Sequence, residues 1–258
     1  MSVSVEKILP RHIGILGDGN RRYSKREKKA SWEGYYFGGR VLETVAQEIF
    51  KRGIHHVSFW AISEKYVMST SHSVLEQRQL NRIVAQGLDR ASKDNWPKEL
   101  GVRIRVVGDW PRAYSVSGYI EEMEMLSAVE ARTRPYSKGN FLNVCTVYSG
   151  YTEERQAWEK YALLKLKHPE MEANERILKA LSQLPGTPDV DLFIRTGFRE
   201  DEESKEIYEG FLTMHRSSNS VAFFTPVLWP DFKEKDLLEA LEVFNQWALK
   251  MRTANNST

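Results

Sequence analysis

Several things are scarce in this sequence, and each scarcity removes a class of protein. The 258 residues include one cysteine, Cys145, so no internal disulfide can form, which suits a reducing compartment. Cys145 lies in the apolar run LNVCTVY and is expected to be a core thiol rather than a nucleophile. The six histidines show no metal-ligand spacing; His55 and His56 precede a strand and read as capping or packing groups. No apolar run approaches the length of a bilayer span and no signal-peptide core opens the chain, so the sequence reads as cytoplasmic. Net charge is low as well, at +2 from 37 basic and 35 acidic residues. Wholesale nucleic-acid binding is therefore excluded, and any phosphate site must be local.

What is present is ordinary globular composition, with 41% hydrophobic and 28% charged residues. The length fits one large α/β domain over residues 1–258 better than two small ones. Strands are expected at His12–Leu16, Val57–Ile62, Arg103–Val107, Leu142–Tyr148, Leu192–Arg195 and Val221–Thr225. Between them, Val41, Leu42, Val45 and Ile49 recur at helical spacing across Val41–Lys51. Val74–Ala91, Tyr119–Ala131, Thr152–Lys167, Met171–Leu184 and Lys235–Arg252 read as further helices. Such alternation predicts a mostly parallel sheet with helices on both faces and ligands beyond the carboxyl ends of its strands. Asp18, Ser63 and Arg195 all fall at such ends. The acidic stretch 199–209 has the composition of a solvated insertion, and residues 253–258 that of a frayed tail.

The segment IGILGDGNRRY, from Ile13 to Tyr23, carries the most chemistry. A short apolar strand runs into Gly17-Asp18-Gly19-Asn20, where glycines let backbone amides approach an anion. Arg21 and Arg22 add forked donors suited to phosphate oxygens, and Tyr23 closes the segment. A carboxylate among these groups makes sense if Asp18 holds a divalent metal shared with the phosphates. The competing reading is a plain Asp-Gly turn with solvated arginines.

Six ordered segments, HIGILGDGNRR, SFWAIS, VRIRVVGDWPR, FLNVCTVYSGYTEE, PDVDLFIRTG and FFTPVLWPDF, resemble the cis-prenyltransferases, the undecaprenyl diphosphate synthase family. The resemblance implies an allylic diphosphate bound by Gly19, Asn20, Arg21 and Arg22, with Asp18 holding Mg²⁺ as the diphosphate leaves. It also implies a second prenyl diphosphate gripped by Arg195, Ser63 facing the reacting centre, a homodimer joined through the late strands, and transient membrane association through lipid products.

The departures from the family pattern narrow the expectation. Tyr35 stands where the family has histidine, and Ser63-Glu64-Lys65-Tyr66-Val67-Met68-Ser69 replaces a segment carrying an amide, an indole and an arginine. Val221 occupies the place of a second metal-ligand glutamate. The family's second arginine corresponds either to Arg199 or to Arg216, and GFLTMHRSSN is preferred as the helix before the last strand. Tyr35, Tyr66 and the doubled arginine resemble the lavandulyl-type branch, which implies a non-standard acceptor such as dimethylallyl diphosphate or an alcohol. Regular elongation with isopentenyl diphosphate and a non-catalytic subunit of a heteromeric synthase are the alternatives. Chain length would depend on how Trp60, Met68, Phe141 and Phe193 line an apolar tunnel.

Overall fold

The computed structural model describes residues 7–68, 73–199 and 210–255. The acidic stretch from residue 200 onward and Ser69 lie outside the described residues. In chain order the elements are β1 (His12–Leu16), α1 (Asn20–Arg26), α2 (Glu33–Lys51), β2 (His56–Ser63), α3 (Glu64–Met68), α4 (Val74–Lys93), α5 (Trp96–Glu99), β3 (Val102–Val107), α6 (Trp110–Ser117), α7 (Ile120–Thr133), β4 (Asn140–Tyr148), α8 (Gly150–Lys167), α9 (Glu175–Leu181), β5 (Leu192–Arg195), α10 (Met214–Ser217), β6 (Val221–Phe224) and α11 (Glu234–Asn255).

Six strands form one sheet in the order β3-β4-β2-β1-β5-β6, every pair parallel. β1 is central and buried along its whole length, as an apolar strand covered on both faces must be. Ile13 and Ile15 face the larger core, while Leu16 joins a second cluster with Trp60, Cys145, Phe193 and Phe211 on the opposite face. Cys145 is fully buried, and burial pushes its thiol well above the ordinary value, as its apolar context predicts. Among the described residues no helix is long and apolar enough to cross a membrane.

Two expected helices are shorter than their sequences suggest. Met171–Leu184 yields only α9, capped by the Asn174 side chain accepting from the Ile177 amide. Beyond Leu181 the chain bends so that the Gln183 amide can donate to buried Glu153. GFLTMHRSSN yields only one turn, α10, because Gly210 and Leu212 take left-handed backbone angles of 77° and 63°. Arg216 from that turn is buried and donates to the carbonyls of Thr187 and Leu184 and to the Ser182 hydroxyl. It pins the α9–β5 connection, so it is a scaffold residue rather than a diphosphate ligand.

The amino end of the sheet holds a buried polar chain. Asn143 donates to the Ser58 hydroxyl, which pairs with His12, whose other ring nitrogen meets the Pro188 carbonyl. Burial, above all, pushes His12 down to about 3, and burial likewise pushes His56 down to about 4. Unfolded, both would titrate near about 6.5, so acidification below that value protonates the unfolded chain first. Stability is therefore expected to fall from about pH 6.5 downward through the folded values, by on the order of a few kcal/mol. Urea midpoints measured between neutral and mildly acidic pH would test this; a flat profile would contradict it.

Candidate active site

The turn after β1 is built by close backbone approaches. A side chain at Gly17 would collide with Phe59 and Trp229, and one at Gly19 (φ 106°) with Leu228. Gly19 is the N-cap of α1, and its amide donates to Asp18 Oδ1 at 2.5 Å. Arg22 Nη2 donates to Asp18 Oδ2 at 3.2 Å, a pair one helical turn apart. The Asp18 side chain is 46% exposed, so both of its oxygens lie within reach of a ligand.

Two distant segments fix the Asp18 backbone carbonyl or its loop. Thr196 Oγ donates to that carbonyl at 2.9 Å, as does the Trp229 amide at 2.9 Å. Gly197, at φ 63°, lies against Arg22, whose Nη2 would stand 2.5 Å from any added Cβ. The Thr-Gly of the RTG motif thus has a structural reason: it must slide beneath the Asp18 turn.

In front of this turn is an open cleft of about 580 Å³. Its walls gather Asp18, Gly19, Asn20, Arg21, Arg22 and Lys25 on one side. Opposite stand Tyr35, Ser63, Tyr66 and Leu80. Of the residues expected from sequence, Asp18 through Arg22, Tyr35, Ser63 and Tyr66 are therefore brought together. Lys25 and Leu80 add to these: Lys25 lies one turn beyond Arg21 on α1, whereas Leu80 comes from α4, from which the sequence pointed to no site residue. Tyr23 is placed elsewhere, packed on Phe37 at 5.7 Å with Arg26 over its ring. Arg195 is nearly buried at the end of β5 and Arg199 is exposed at the edge of the described residues; neither is in this cleft wall.

Burial pushes the Tyr35 hydroxyl up to about 12, with Arg21 opposing the shift, and burial also raises Tyr66. Both hydroxyls are accordingly protonated at neutral pH. Ser63 accepts from the Tyr66 amide at 3.1 Å, so it caps α3 while also lining the cleft. Asn20 donates to the Gly17 carbonyl at 3.0 Å and leaves its Oδ1 buried without a partner, an acceptor waiting at the back of the cleft.

Behind the cleft an apolar passage runs between α2 and α4, sharing Gly17, Asn20, Tyr35, Trp60 and Ala61 with it. Leu42, Phe59, Val84, Leu88 and Val144 line its interior. Trp60 borders the passage, but its ring stacks on Phe211 at 5.4 Å in the cluster on the other face of the sheet, and neither Phe141 nor Phe193 lines the passage. Phe141 lies at the amino end of β4, stacked on His56 and beneath Arg105; Phe193 packs on Phe211 on the other face of the sheet. The Met68 side chain lies outside the described residues.

A polar turn of amides and arginines opening into an apolar passage is the shape of a site for an anionic head and a hydrocarbon tail. The chain matches the prenyltransferase family model for undecaprenyl diphosphate synthases over residues 16–252. The chain belongs to the cis-prenyltransferase family. It is 28% identical to the tritrans,polycis-undecaprenyl-diphosphate synthase (geranylgeranyl-diphosphate specific) of Pyrococcus horikoshii, over 93% of this chain and 85% of that protein. It is 30% identical to the decaprenyl diphosphate synthase of Mycobacterium leprae, over 92% of this chain and 74% of the relative. Among solved structures, lavandulyl diphosphate synthase from Lavandula x intermedia in complex with dimethylallyl diphosphate has the same fold. That match has a TM-score of 0.77 at 23% identity and covers 92% of this chain and 95% of the other. Its relatives are named as prenyl and polyprenyl diphosphate synthases, so this cis-prenyltransferase is an enzyme of prenyl transfer.

Proposed function

We propose that this cis-prenyltransferase ionises an allylic diphosphate on the Asp18 turn and passes the prenyl group to a non-standard acceptor, dimethylallyl diphosphate or an alcohol. The observation that carries the proposal is the wall facing that turn. All three cationic side chains of the cleft come from α1, whereas β2, α3 and α4 contribute Trp60, Ser63, Tyr66 and Leu80, joined by Tyr35.

The chain's own groups account for the donor half. Arg21, Arg22, Lys25 and the turn amides stabilise the departing diphosphate, which takes the electron pair of the broken carbon–oxygen bond. The rings of Tyr35 and Tyr66 face the allyl cation that remains, each contributing roughly 0.5–2 kcal/mol. The acceptor's double bond or hydroxyl oxygen then closes the new bond and releases a proton to solvent or to the diphosphate.

A Mg²⁺ ion fits this donor set in a limited way. Among the described residues no three acidic, histidine or cysteine side chains converge, so Asp18 would be its protein ligand and diphosphate oxygens and water the rest. Val221 cannot contribute: besides being apolar, it pairs with Leu192 at the amino end of its strand, whereas Asp18 lies beyond the carboxyl ends. When bound, the ion supplies positive charge where the diphosphate leaves.

Regular elongation remains the second reading, favoured by relatives named as polyprenyl synthases. Competing isopentenyl diphosphate, dimethylallyl diphosphate and a prenyl alcohol for one labelled allylic donor separates the readings. Irregular or ether products should dominate, and Tyr66→Phe should retain most of them if the ring matters more than the hydroxyl. Mainly head-to-tail polyprenyl products would overturn the proposal.

The enzyme is further proposed to act as a homodimer. β6 is an edge strand, and Tyr151 and Leu166 of α8 are 72% and 80% exposed, an apolar surface that a second copy would cover. Light scattering showing a monomer at micromolar concentration would rule this out.

A further inference from the structure

Around α1 and the start of α2 the charge is far from balanced. Between Arg21 and Arg40 seven basic residues stand against two acidic ones, Glu27 and Glu33, in a chain whose net charge is only +2. Part of this excess is neutralised locally: Arg26 pairs with Asp231 and Glu27, Arg22 with Asp18, and Arg40 with Glu43. Lys25, Lys28 and Lys29 have no carboxylate partner among the described residues. Lys29 Nζ instead lies 5.3 Å from the Phe37 ring centroid. Every residue from Lys25 to Trp32 is exposed.

Lys28 stands there at a cost to the fold. α1 ends in a Schellman turn, in which the Lys29 amide donates to the Ser24 carbonyl at 2.8 Å and the Lys28 amide to the Lys25 carbonyl at 3.3 Å. That turn puts Lys28 at φ 53°, in the left-handed region that favours glycine. Among the described residues no carboxylate, ring or carbonyl holds its side chain. A strained residue whose side chain the fold does not use points to a use outside the fold.

Beside these lysines two large rings are open to solvent. Trp32, the N-cap of α2, is 43% exposed, and Tyr36, one turn on, is 46% exposed. Steps of four residues put Trp32, Tyr36 and Arg40 on one face of α2. Tyr36 also lines the apolar passage and Lys25 lines the open cleft, so this patch borders both. Indole and phenol rings flanked by lysines are the side chains that settle where lipid headgroups meet hydrocarbon, ring inward and polar tip outward.

We propose that Lys28, Lys29, Trp32 and Tyr36 form a docking surface for an anionic lipid bilayer. The lysines meet the phosphate headgroups, the two rings sit at the top of the acyl chains, and the cleft and passage are brought to the surface that holds water-insoluble lipids. An acidic protein would match the charge, but it gives no reason for two amphipathic rings beside a site for a hydrocarbon tail. The contact is made by the protein's own side chains with no prenyl lipid bound, which sets it apart from retention through a lipid product. It therefore goes beyond the reading of the cleft and holds whichever acceptor is used.

The test sediments the full-length protein, free of prenyl substrates, with vesicles of phosphatidylcholine alone or with roughly 30% phosphatidylglycerol. The anionic vesicles should retain the protein at low salt and release most of it near about 0.5 M salt, as screening requires. Neutral vesicles should bind on the order of tenfold more weakly. Each lysine near an anionic surface is worth roughly a fivefold change in affinity, so Lys28→Glu combined with Lys29→Glu should weaken binding by on the order of tenfold or more. Brominated acyl chains should quench tryptophan fluorescence in the parent and far less in Trp32→Phe. Trp158 and Trp247, which are also exposed, supply the control variants.

Lys28→Gly separates docking from folding. It should raise the melting temperature by roughly 1–4 °C, because glycine accepts this backbone angle without strain, while weakening binding to anionic vesicles severalfold. A merely structural lysine would move the first quantity and not the second. No binding to anionic vesicles at low salt, equal binding to neutral ones, or unchanged binding in Lys28→Gly and the double variant would overturn the proposal. Quenching lost in Trp158→Phe or Trp247→Phe rather than in Trp32→Phe would overturn it too, by placing the contact on another face. A head-to-tail product in the acceptor competition would leave these vesicle measurements untouched, so the two readings stand or fall separately.

Discussion

Asp18→Ala is expected to lower kcat by roughly 10²–10⁴-fold, the usual scale when one group that stabilises developing charge is removed. The structure makes the variant interpretable. The Asp18 side chain is 46% exposed and among the described residues bonds to the Gly19 amide and Arg22, so its loss leaves the core intact. The carbonyl that anchors the turn belongs to the backbone and survives the substitution. Arg22 would lose its partner and could collapse onto the diphosphate, which would tighten ground-state binding while slowing ionisation. Steady-state kinetics together with a melting curve would decide the matter. A kcat near that of the parent at unchanged stability would remove Asp18 from the mechanism.

The largest effect on stability is expected from Trp229→Ala. Trp229 is fully buried, its ring 5.2 Å from Phe59 and 5.4 Å from Phe232, and its indole N–H donates to the Gly38 carbonyl at 2.9 Å. Removing it would open a cavity and delete the indole's hydrogen bond, costing about 3–5 kcal/mol. The same ring backs Gly17 and Gly38, so the residue supports both the diphosphate turn and the start of the apolar passage. Urea denaturation should register the loss as a shifted midpoint; a change below about 1 kcal/mol would mean the aromatic neighbours close the gap unaided.

The fold was legible where one periodicity ruled without competition. The buried strands read as short apolar runs because both faces are covered, and the break after β1 was legible because Gly17 and Gly19 mark a turn between an apolar strand and a polar helix. What failed to read from sequence depended on partners remote in the chain. The α9 and α10 segments have helical composition, but Glu153 and Arg216 take backbone groups just beyond α9, and the left-handed Gly210 and Leu212 hold α10 to one turn. Tyr23 was grouped with the arginines by proximity, yet a helix turns successive side chains about 100° apart and sent it toward Phe37. Phe141 and Phe193 looked like tunnel residues because bulk is visible in sequence, whereas the side of the sheet and the end of the strand are not.

The convergence on the Asp18 carbonyl has a consequence for the order of events during synthesis. The turn is written within the first twenty or so residues, but the groups that hold it, Thr196 and Trp229, emerge from the ribosome near the end. Parallel pairing of β1 with β5 imposes the same delay, since its partners are separated by most of the chain. A nascent chain halted before β5 would carry the arginines and the carboxylate yet have no shaped cleft to bind with. The turn proposed to hold the diphosphate is therefore braced only once Thr196 and Trp229 have been made.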